Sequence, residues 1–187
     1  MPESVFDLSE LLAAAGEAVI PAATGVAAPP LTFRLPEQEK EEWCWASVCT
    51  GLRRFYDSED VDQCQIASEV LGGDCCANPD LCNQPQFLST ILNDMGYRAA
   101  AKGQVEFPVI HAQLAAGRPL CCFIDQGSIG HFIVICACDP DTLEVGVVDP
   151  APGQPHDDPR MIPLDAFKIT YNDGTWRETY LTKPRTA

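Results

Sequence analysis

Basic side chains are scarce in this chain of 187 residues. Twelve Lys and Arg residues stand against 27 Asp and Glu residues, which gives a net charge of -15. A protein with this charge repels nucleic acids and anionic membrane surfaces, because both are negatively charged. We therefore expect neither a nucleic acid nor a membrane as a partner.

Long apolar runs and basic residues near the N-terminus are lacking as well. No apolar stretch approaches the roughly 20 residues that a membrane-spanning helix needs. The first 23 residues contain four acidic residues and no Lys or Arg, so they do not resemble a secretory signal peptide. A cytoplasmic location with reduced thiols is the resulting expectation. Export by a route that needs no such signal is left open.

Histidine is rare, with three residues, whereas cysteine is abundant, with ten. The chain is long enough, and at 46% apolar enough, to build one domain with a substantial core. Its N-terminal part differs: a short helix is predicted around Leu8, Leu11 and Leu12, and 21–30 has the small, proline-rich composition of a linker. We predict an arm or pro-segment at 1–30 and one domain at 31–187. A poorly ordered terminus is the alternative.

The pattern of the sequence changes at Cys44. Before it the residues are polar, and after it apolar residues recur at helical spacing, which predicts an amphipathic helix. These residues are Trp45, Val48, Cys49, Leu52, Phe55 and Tyr56. Cys44 then lies at the helix N-terminus, where unpaired N–H groups and the helix dipole favour the thiolate, the nucleophilic form. Gln38, six residues upstream, could fold its amide back and donate a hydrogen bond to an oxyanion.

A Gln six residues before a Cys that opens a helix, with Trp directly after the Cys, resembles the papain-like cysteine peptidases. The Trp-Cys-Trp-Ala sequence at 43–46 is most similar to their compact bacterial branch, which includes effector-type proteases and bacteriocin-leader peptidases. The alternative is that Cys44 is a small apolar core residue, the commonest role of a free cysteine.

A nucleophilic cysteine needs a base, and the base needs a partner that orients it. His131 follows Gly130 and opens an apolar strand, which matches the Gly-His-apolar strand of the family. Asp149 ends the antiparallel neighbour of that strand, so the side chains of His131 and Asp149 are expected at one edge of the sheet. The alternative is that Asp149 only starts a turn. His111 is expected on a helix surface and His156 in a solvated loop.

Helical patterns dominate the first half of the chain and strand patterns the second, which predicts an α+β fold. The resemblance implies the same order, with a helical half that carries the thiol and an antiparallel sheet that carries His and Asp. Helices are expected at 44–56, 61–71, 87–95 and 111–115, strands at 31–35, 120–124, 131–137, 143–148 and 176–182, and a turn with a short helix at 161–167.

The remaining cysteines form two groups. Cys64, Cys75, Cys76 and Cys82 have a spacing that fits a zinc site poorly, and we expect neither a metal nor a cofactor. Reduced thiols are expected for them in the cytoplasm and disulfides in an exported protein; papain relatives often have a disulfide near this point. The other group, in predicted strands, is expected to serve packing: Cys121, Cys122, Cys136 and Cys138.

The resemblance implies hydrolysis of a peptide or isopeptide bond in a protein or peptide substrate. Cys44 would attack the carbonyl as an ion pair with His131, and Asp149 would orient the imidazole. Gln38 and the Cys44 N–H would hold the oxyanion. Two alternatives remain: acyl transfer, as in transglutaminase-like or arylamine acetyltransferase-like proteins, and a thiol-rich binding protein without activity. The oligomeric state is left open.

Overall fold

The computed structural model describes residues 28–186, so the predicted arm, with its short helix around Leu8, lies almost entirely outside the described residues. Within them the chain forms five helices and six strands. In chain order they are α1 (Cys44–Asp57), α2 (Gln63–Leu71), α3 (Leu88–Asp94), β1 (Arg98–Lys102), α4 (Phe107–Ala115), β2 (Leu120–Asp125), β3 (Gly130–Asp139), β4 (Glu144–Val148), β5 (Arg160–Pro163), α5 (Leu164–Ile169) and β6 (Thr175–Thr182).

The six strands form one antiparallel sheet in the order β1-β6-β2-β3-β4-β5. Strands β2, β3 and β4 are the meander expected from the three apolar runs. The last strand, β6, does not extend this meander at β4 but lies beside β2, where Leu181 is opposite Leu120. The mixed helix-and-sheet class predicted from the order of patterns is confirmed.

The sheet separates two hydrophobic clusters. On one face, Trp45 and Leu52 of α1 pack with side chains of β3 such as Val134. On the other face, Ile110 of α4 packs with the alternate residues of β3, such as Ile133. Because successive side chains of a strand point to opposite faces, β3 is buried on both sides, and this explains its continuous apolar sequence.

Two strands were not predicted, and one predicted strand is not formed. The missed strands, β1 and β5, are the edges of the sheet and are largely exposed, so they lack the alternating burial that marks a strand. The expected strand at 31–35 joins no ladder, and the prediction was wrong. Pro30 and Pro36 flank this segment and lack the N–H that a ladder needs. Its Leu31 N–H donates to the Cys136 carbonyl at 3.1 Å.

The cysteine cluster is oxidised. Disulfides join Cys64 to Cys76 and Cys75 to Cys82, so of the two states left open for these four residues the structure has the oxidised one. Because Cys64 lies in α2, the first disulfide ties that helix to the following loop. The remaining six cysteines are free and buried: Cys44, Cys49, Cys121, Cys122, Cys136 and Cys138.

Between residues 28 and 186 there is no helix with the length and hydrophobicity required to cross a membrane. The same part of the chain contains no group of His, Cys, Asp and Glu side chains arranged to hold a metal ion.

Candidate active site

Cys44 is the first residue of α1, as predicted. Trp43 precedes it at the N-cap position, where no side chain of the described residues caps the helix, and the first turn contains no acidic residue. The N-terminal end of α1 is therefore open to an anion such as a thiolate or an oxyanion, because its unpaired N–H groups point there.

The two indoles beside Cys44 are anchored to the loop that the Cys75–Cys82 disulfide closes. The N–H of the Trp43 indole donates to the Cys82 carbonyl at 2.8 Å, and that of Trp45 donates to the Gln84 carbonyl at 3.1 Å. Both indoles are fully buried, so each needs this hydrogen bond. The loop thereby fixes the residues on both sides of the thiol.

His131 and Asp149 meet at one edge of the sheet, as the strand order predicted. β3 and β4 are antiparallel, with Val134 opposite Val148, so the start of β3 lies beside the end of β4. His131 Nε2 lies 2.6 Å from Asp149 Oδ1. The imidazole also lies near enough to the Cys44 side chain for the two to interact, which raises the pKa of His131; because Nε2 pairs with Asp149, Nδ1 is the nitrogen left for the thiol. The structure thus brings all three predicted residues into one chain of contacts.

The carboxylate of Asp149 is fully buried and accepts several hydrogen bonds. In addition to His131, the Ala151 N–H donates to Oδ1 at 2.8 Å. Oδ2 accepts the Tyr171 hydroxyl at 2.9 Å and the Asn172 amide at 3.3 Å. These donors satisfy a charge that would otherwise be costly in the interior. No pattern in the sequence marked Tyr171 as part of the site.

A tight turn delivers Tyr171 and Asn172 to the carboxylate. The backbones of Tyr171 and Gly174 exchange two hydrogen bonds of 2.9 Å. Asn172 and Asp173 between them have positive φ angles of 45° and 63°, a conformation that Asn and Asp accept more readily than most residues. The sequence Tyr-Asn-Asp-Gly is a turn signal that could have marked this position. It could not have shown that the turn contacts Asp149.

The ionisation of the site follows from these contacts. Burial lowers the pKa of His131, but its hydrogen bonds to Asp149 and Cys44 outweigh this effect and raise the pKa to about 9. Burial favours the neutral form of Asp149, yet the bonds from His131 and Ala151 leave its pKa below the usual value. An imidazolium held by a carboxylate is therefore the stable form at neutral pH.

The backbone around Gln38 is held in place by contacts from two elements. Its own N–H donates to the Pro150 carbonyl at 2.8 Å. The side chain of Gln63, on α2, donates to the Glu37 carbonyl at 2.6 Å and accepts from the Glu39 N–H at 3.1 Å. Gln38 is thus connected both to the residue after Asp149 and to α2. The sequence carried no local signal for the role of Gln63.

The side-chain amide of Gln38 is directed at the loop before α1. Its Nε2 donates to the Lys40 carbonyl at 3.0 Å and to the Glu41 carbonyl at 2.7 Å. Its Oε1 is buried and has no hydrogen-bond partner among the described residues. The structure therefore places Gln38 beside the turn that leads to Cys44, with its donors bonded to carbonyl groups of this turn.

The other two histidines lie outside this chain of contacts. His111 is on α4, which packs on the opposite face of the sheet. His156 is half-buried and pairs with Glu37, with 3.1 Å between Nε2 and Oε2, so the expectation of a solvated side chain was wrong. The cause is the loop after β4, which folds back over the segment before α1 and accepts the Leu35 N–H at the His156 carbonyl.

Burial keeps the other five free thiols of the described chain protonated. It raises the pKa of Cys49 and of Cys136 to about 12 and that of Cys138 to about 11, and it raises the pKa of Cys121 and of Cys122 further. Thiols of this kind stay protonated and unreactive at neutral pH. Of the six free cysteines in the described chain, Cys44 is the one that lines the cleft between the helices and the sheet.

This cleft encloses about 420 Å³. Its apolar wall contains side chains from α1, from the segment before α3 and from three strands. The residues that line it include Cys44, Phe87, Phe123, Phe132, Tyr180, Glu42 and Glu178.

A helical half that presents a thiol to an imidazole on an antiparallel sheet defines the class: a papain-like cysteine peptidase. The model of the family described as papain-like cysteine protease AvrRpt2 matches residues 29–171, and the chain belongs to this family. The predicted relationship to papain-like peptidases and the assignment as an enzyme are confirmed. No curated protein matches the chain.

Two solved structures share the fold. The peptidase domain of Streptococcus ComA, a bifunctional ABC transporter involved in a quorum-sensing pathway, aligns with a TM-score of 0.56 and 10% identity, over 82% of this chain and 99% of its own. Xylellain, a cysteine protease from Xylella fastidiosa, aligns with a TM-score of 0.51 and 13% identity, over 90% of this chain and 89% of its own. At these identities the likeness concerns the fold.

Proposed function

We propose that this peptidase hydrolyses peptide or isopeptide bonds with Cys44 as nucleophile, His131 as base and Asp149 as the orienting carboxylate. The observation that carries the proposal is the His131 imidazole, whose Nε2 lies 2.6 Å from Asp149 Oδ1 and whose pKa is raised by interaction with the Cys44 side chain. This arrangement supplies the three functions that a thiol nucleophile requires: a proton acceptor, a fixed tautomer and stabilisation of the imidazolium.

In the first half of the reaction Cys44 acts as a thiolate, because its proton is already held by His131, and the thiolate attacks the carbonyl carbon. The oxyanion that forms is stabilised by the free N–H groups at the start of α1. When this intermediate collapses, the C–N bond breaks and the imidazolium gives its proton to the leaving amine. A thioester between Cys44 and the acyl part of the substrate remains.

In the second half water releases the acyl group. His131, now neutral, accepts a proton from the attacking water, and a second tetrahedral intermediate forms in the same place. Its collapse breaks the C–S bond, frees the carboxylic acid and leaves the Cys44 thiolate paired with the His131 imidazolium. Asp149 keeps the imidazole in one orientation through both halves, because its carboxylate is itself fixed by three further donors.

Gln38 is the proposed side-chain donor to the oxyanion. Its amide N–H groups are bonded to the Lys40 and Glu41 carbonyls, so one of them must turn toward the oxyanion, or be shared with it, as the intermediate forms. The backbone contacts of Gln38 to Pro150 and through Gln63 support this role, because they limit the required motion to the side chain.

The division into an arm at 1–30 and a domain at 31–187 is part of the proposal. Its support is the Leu31 N–H, which donates to the Cys136 carbonyl in β3 and so attaches the start of the domain to the sheet. Limited proteolysis should cut first at 21–30, and a chain that begins at Leu31 should keep a cooperative unfolding transition. The two disulfides favour an oxidising compartment, and therefore export over a cytoplasmic location.

The proposal can be tested by mapping new N-termini in a denatured proteome after incubation with the protein. The wild type should generate new N-termini, whereas Cys44→Ala and His131→Ala should generate none. Cys49→Ala is the matched control, because Cys49 lies one turn further along α1 and is fully buried. Cleavage that survives in Cys44→Ala would overturn the assignment of the nucleophile.

A further inference from the structure

The cleft beside Cys44 combines aromatic walls with negative charge. Phe87, Phe123 and Phe132 contribute rings to its walls, and the charged residues that line it are Glu42 and Glu178. No Lys or Arg of the described chain lines it. Neither glutamate forms an ion pair with a described residue. The cleft therefore presents two carboxylates without a counter-charge.

Glu178 belongs to a row of side chains that crosses three strands. Phe123 on β2 is opposite Phe132 on β3 and also opposite Glu178 on β6. The two phenyl rings are 5.4 Å apart between centroids. Tyr180, two residues after Glu178 and on the same face, donates its hydroxyl to Glu178 Oε2 at 2.6 Å. The carboxylate is thus oriented beside the rings, with Oε1 left for a ligand.

The aromatic wall adjoins the reacting groups. A Cβ atom placed on Gly130 would come within 2.2 Å of the Phe123 ring, so this ring lies directly over the residue that precedes His131. A side chain seated against Phe123 consequently belongs to a substrate residue very close to the bond that Cys44 attacks.

The chemistry of the cleft excludes some side chains and favours others. An acidic side chain would be repelled by Glu42 and Glu178, and a purely apolar one would remove water from Glu178 without replacing it. An arginine matches both features, because its apolar stem can pack on the rings while its guanidinium reaches the carboxylate. The planar guanidinium also stacks on aromatic faces, which a lysine ammonium does less well.

We propose that the cleft selects substrates with an arginine at the residue that occupies the pocket between Phe87, Phe123 and Glu178. The proposal rests on the proposed peptidase function, since it concerns the same cleft. Glu178 is the specificity-determining residue, and Tyr180 positions its carboxylate. Glu42, at the N-terminal end of α1, adds a second negative charge to the cleft.

The test uses blocked dipeptidyl chloromethyl ketones, which alkylate an active-site thiol without a complete turnover. The reagents differ in one residue, which is arginine, norleucine or glutamate, and this residue is placed in turn at each of the two positions. Mass spectrometry follows the rate at which Cys44 is alkylated. At one of the two positions the arginine reagent should react at least about ten-fold faster than the norleucine reagent, and the glutamate reagent should be slowest.

Two variants assign this preference to Glu178. Glu178→Gln should lower the arginine-to-norleucine ratio about ten-fold. Glu144→Gln removes the same charge from β4, outside the cleft lining, and should keep the wild-type ratio. Equal arginine and norleucine rates in the wild type would overturn the proposal, and so would equal effects of the two variants.

Iodoacetamide separates this proposal from the peptidase proposal. If this small reagent alkylates Cys44 rapidly but arginine gives no advantage, the specificity proposal fails and the nucleophile stands. If the arginine preference depends on Glu178 while no peptide is cleaved, the pocket stands and the hydrolytic function fails.

Discussion

The Tyr171 hydroxyl donates a hydrogen bond of 2.9 Å to Asp149 Oδ2, the carboxylate oxygen that His131 does not contact. Burial and the negative charge of Asp149 both raise the pKa of Tyr171, so the phenol stays protonated and remains a donor. The guanidinium of Arg160 lies over the Tyr171 ring, with its Cζ atom 5.1 Å from the ring centroid. In the proposed mechanism Tyr171 is therefore a positioning residue that acts on His131 through Asp149.

Replacing Tyr171 with Phe should weaken the fold and slow turnover without changing KM. Loss of a hydrogen bond to a charged group costs about 1.5–3 kcal/mol of unfolding free energy, which urea unfolding will measure. Tyr56→Phe is the matched control, because its hydroxyl pairs with Thr182 away from the site. Without this donor Asp149 becomes more basic, so the pKa of His131 does not fall. The decline of turnover at alkaline pH should therefore not shift to lower pH. A fall in kcat as small as that of Tyr56→Phe would contradict the positioning role.

The pH profile of turnover should report the ionisation of His131. Because the pKa of His131 is raised to about 9, the imidazolium that protonates the leaving amine persists up to that pH, and turnover should decline above it. Asp149→Ala removes the carboxylate, so the pKa of His131 falls and the alkaline limb moves to lower pH. Asp149→Asn keeps a hydrogen-bond acceptor and should lose less activity. An unchanged profile in Asp149→Ala would show that Asp149 does not act on His131, which leaves a dyad of Cys44 and His131.

The same pKa shift has a consequence for stability. The protonated His131 is favoured in the folded chain, where its pKa is about 9, over the unfolded chain, where it is 6.5. Its stabilising contribution is therefore fully present below pH 6.5 and is lost as the pH rises through about 9. Unfolding at pH values on both sides of this window should show the loss in the wild type and not in His131→Ala.

Gln38→Ala should reduce turnover about 10²–10³-fold, the usual effect of losing one oxyanion donor, while the alkylation rate of Cys44 stays unchanged. Gln104→Ala is the matched control, since the Gln104 amide also bridges two backbone carbonyls, those of Lys168 and Trp176, at 2.8 Å and 2.9 Å. If the two variants lose the same small fraction of turnover, the Gln38 amide serves only to hold the loop before α1.

Replacing Cys75 and Cys82 together with serine should affect both stability and turnover. Loss of one disulfide typically costs about 2–4 kcal/mol of unfolding free energy, and here it also frees the loop that holds the Trp43 indole. Replacement of the other pair, Cys64 and Cys76, should cost similar stability but less turnover. Urea unfolding and kcat measurements on the two double variants provide the comparison. Equal turnover in both would show that the loop does not act on Cys44.

The sequence was sufficient to predict that Cys44, His131 and Asp149 come together, because each lies where a local pattern begins or ends. Cys44 stands at the onset of helical periodicity, and the other two stand at the ends of apolar strands joined by a short turn. Strand pairing then brings these ends to one edge without further information.

Tyr171 and Gln63 could not be found in the same way. Tyr171 reaches Asp149 across 22 residues and Gln63 reaches Glu39 across 24, through tertiary contacts that leave no period in the sequence. The edge strands β1 and β5 were missed because exposure on both faces removes the alternation of apolar residues. The disulfides were left open because spacing alone does not determine the redox state of a thiol.

The segment from Cys82 to Gln84 has a length that evolution cannot readily change. Surface loops ordinarily accept insertions and deletions, but here the carbonyls of Cys82 and Gln84, two residues apart, each pair with a buried indole. One added residue between them would move a carbonyl away from its indole and leave that N–H unpaired in the interior. Divergent copies of this protein should therefore vary freely at positions such as Leu81, which is 79% exposed, while the number of residues from Cys82 to Gln84 stays constant.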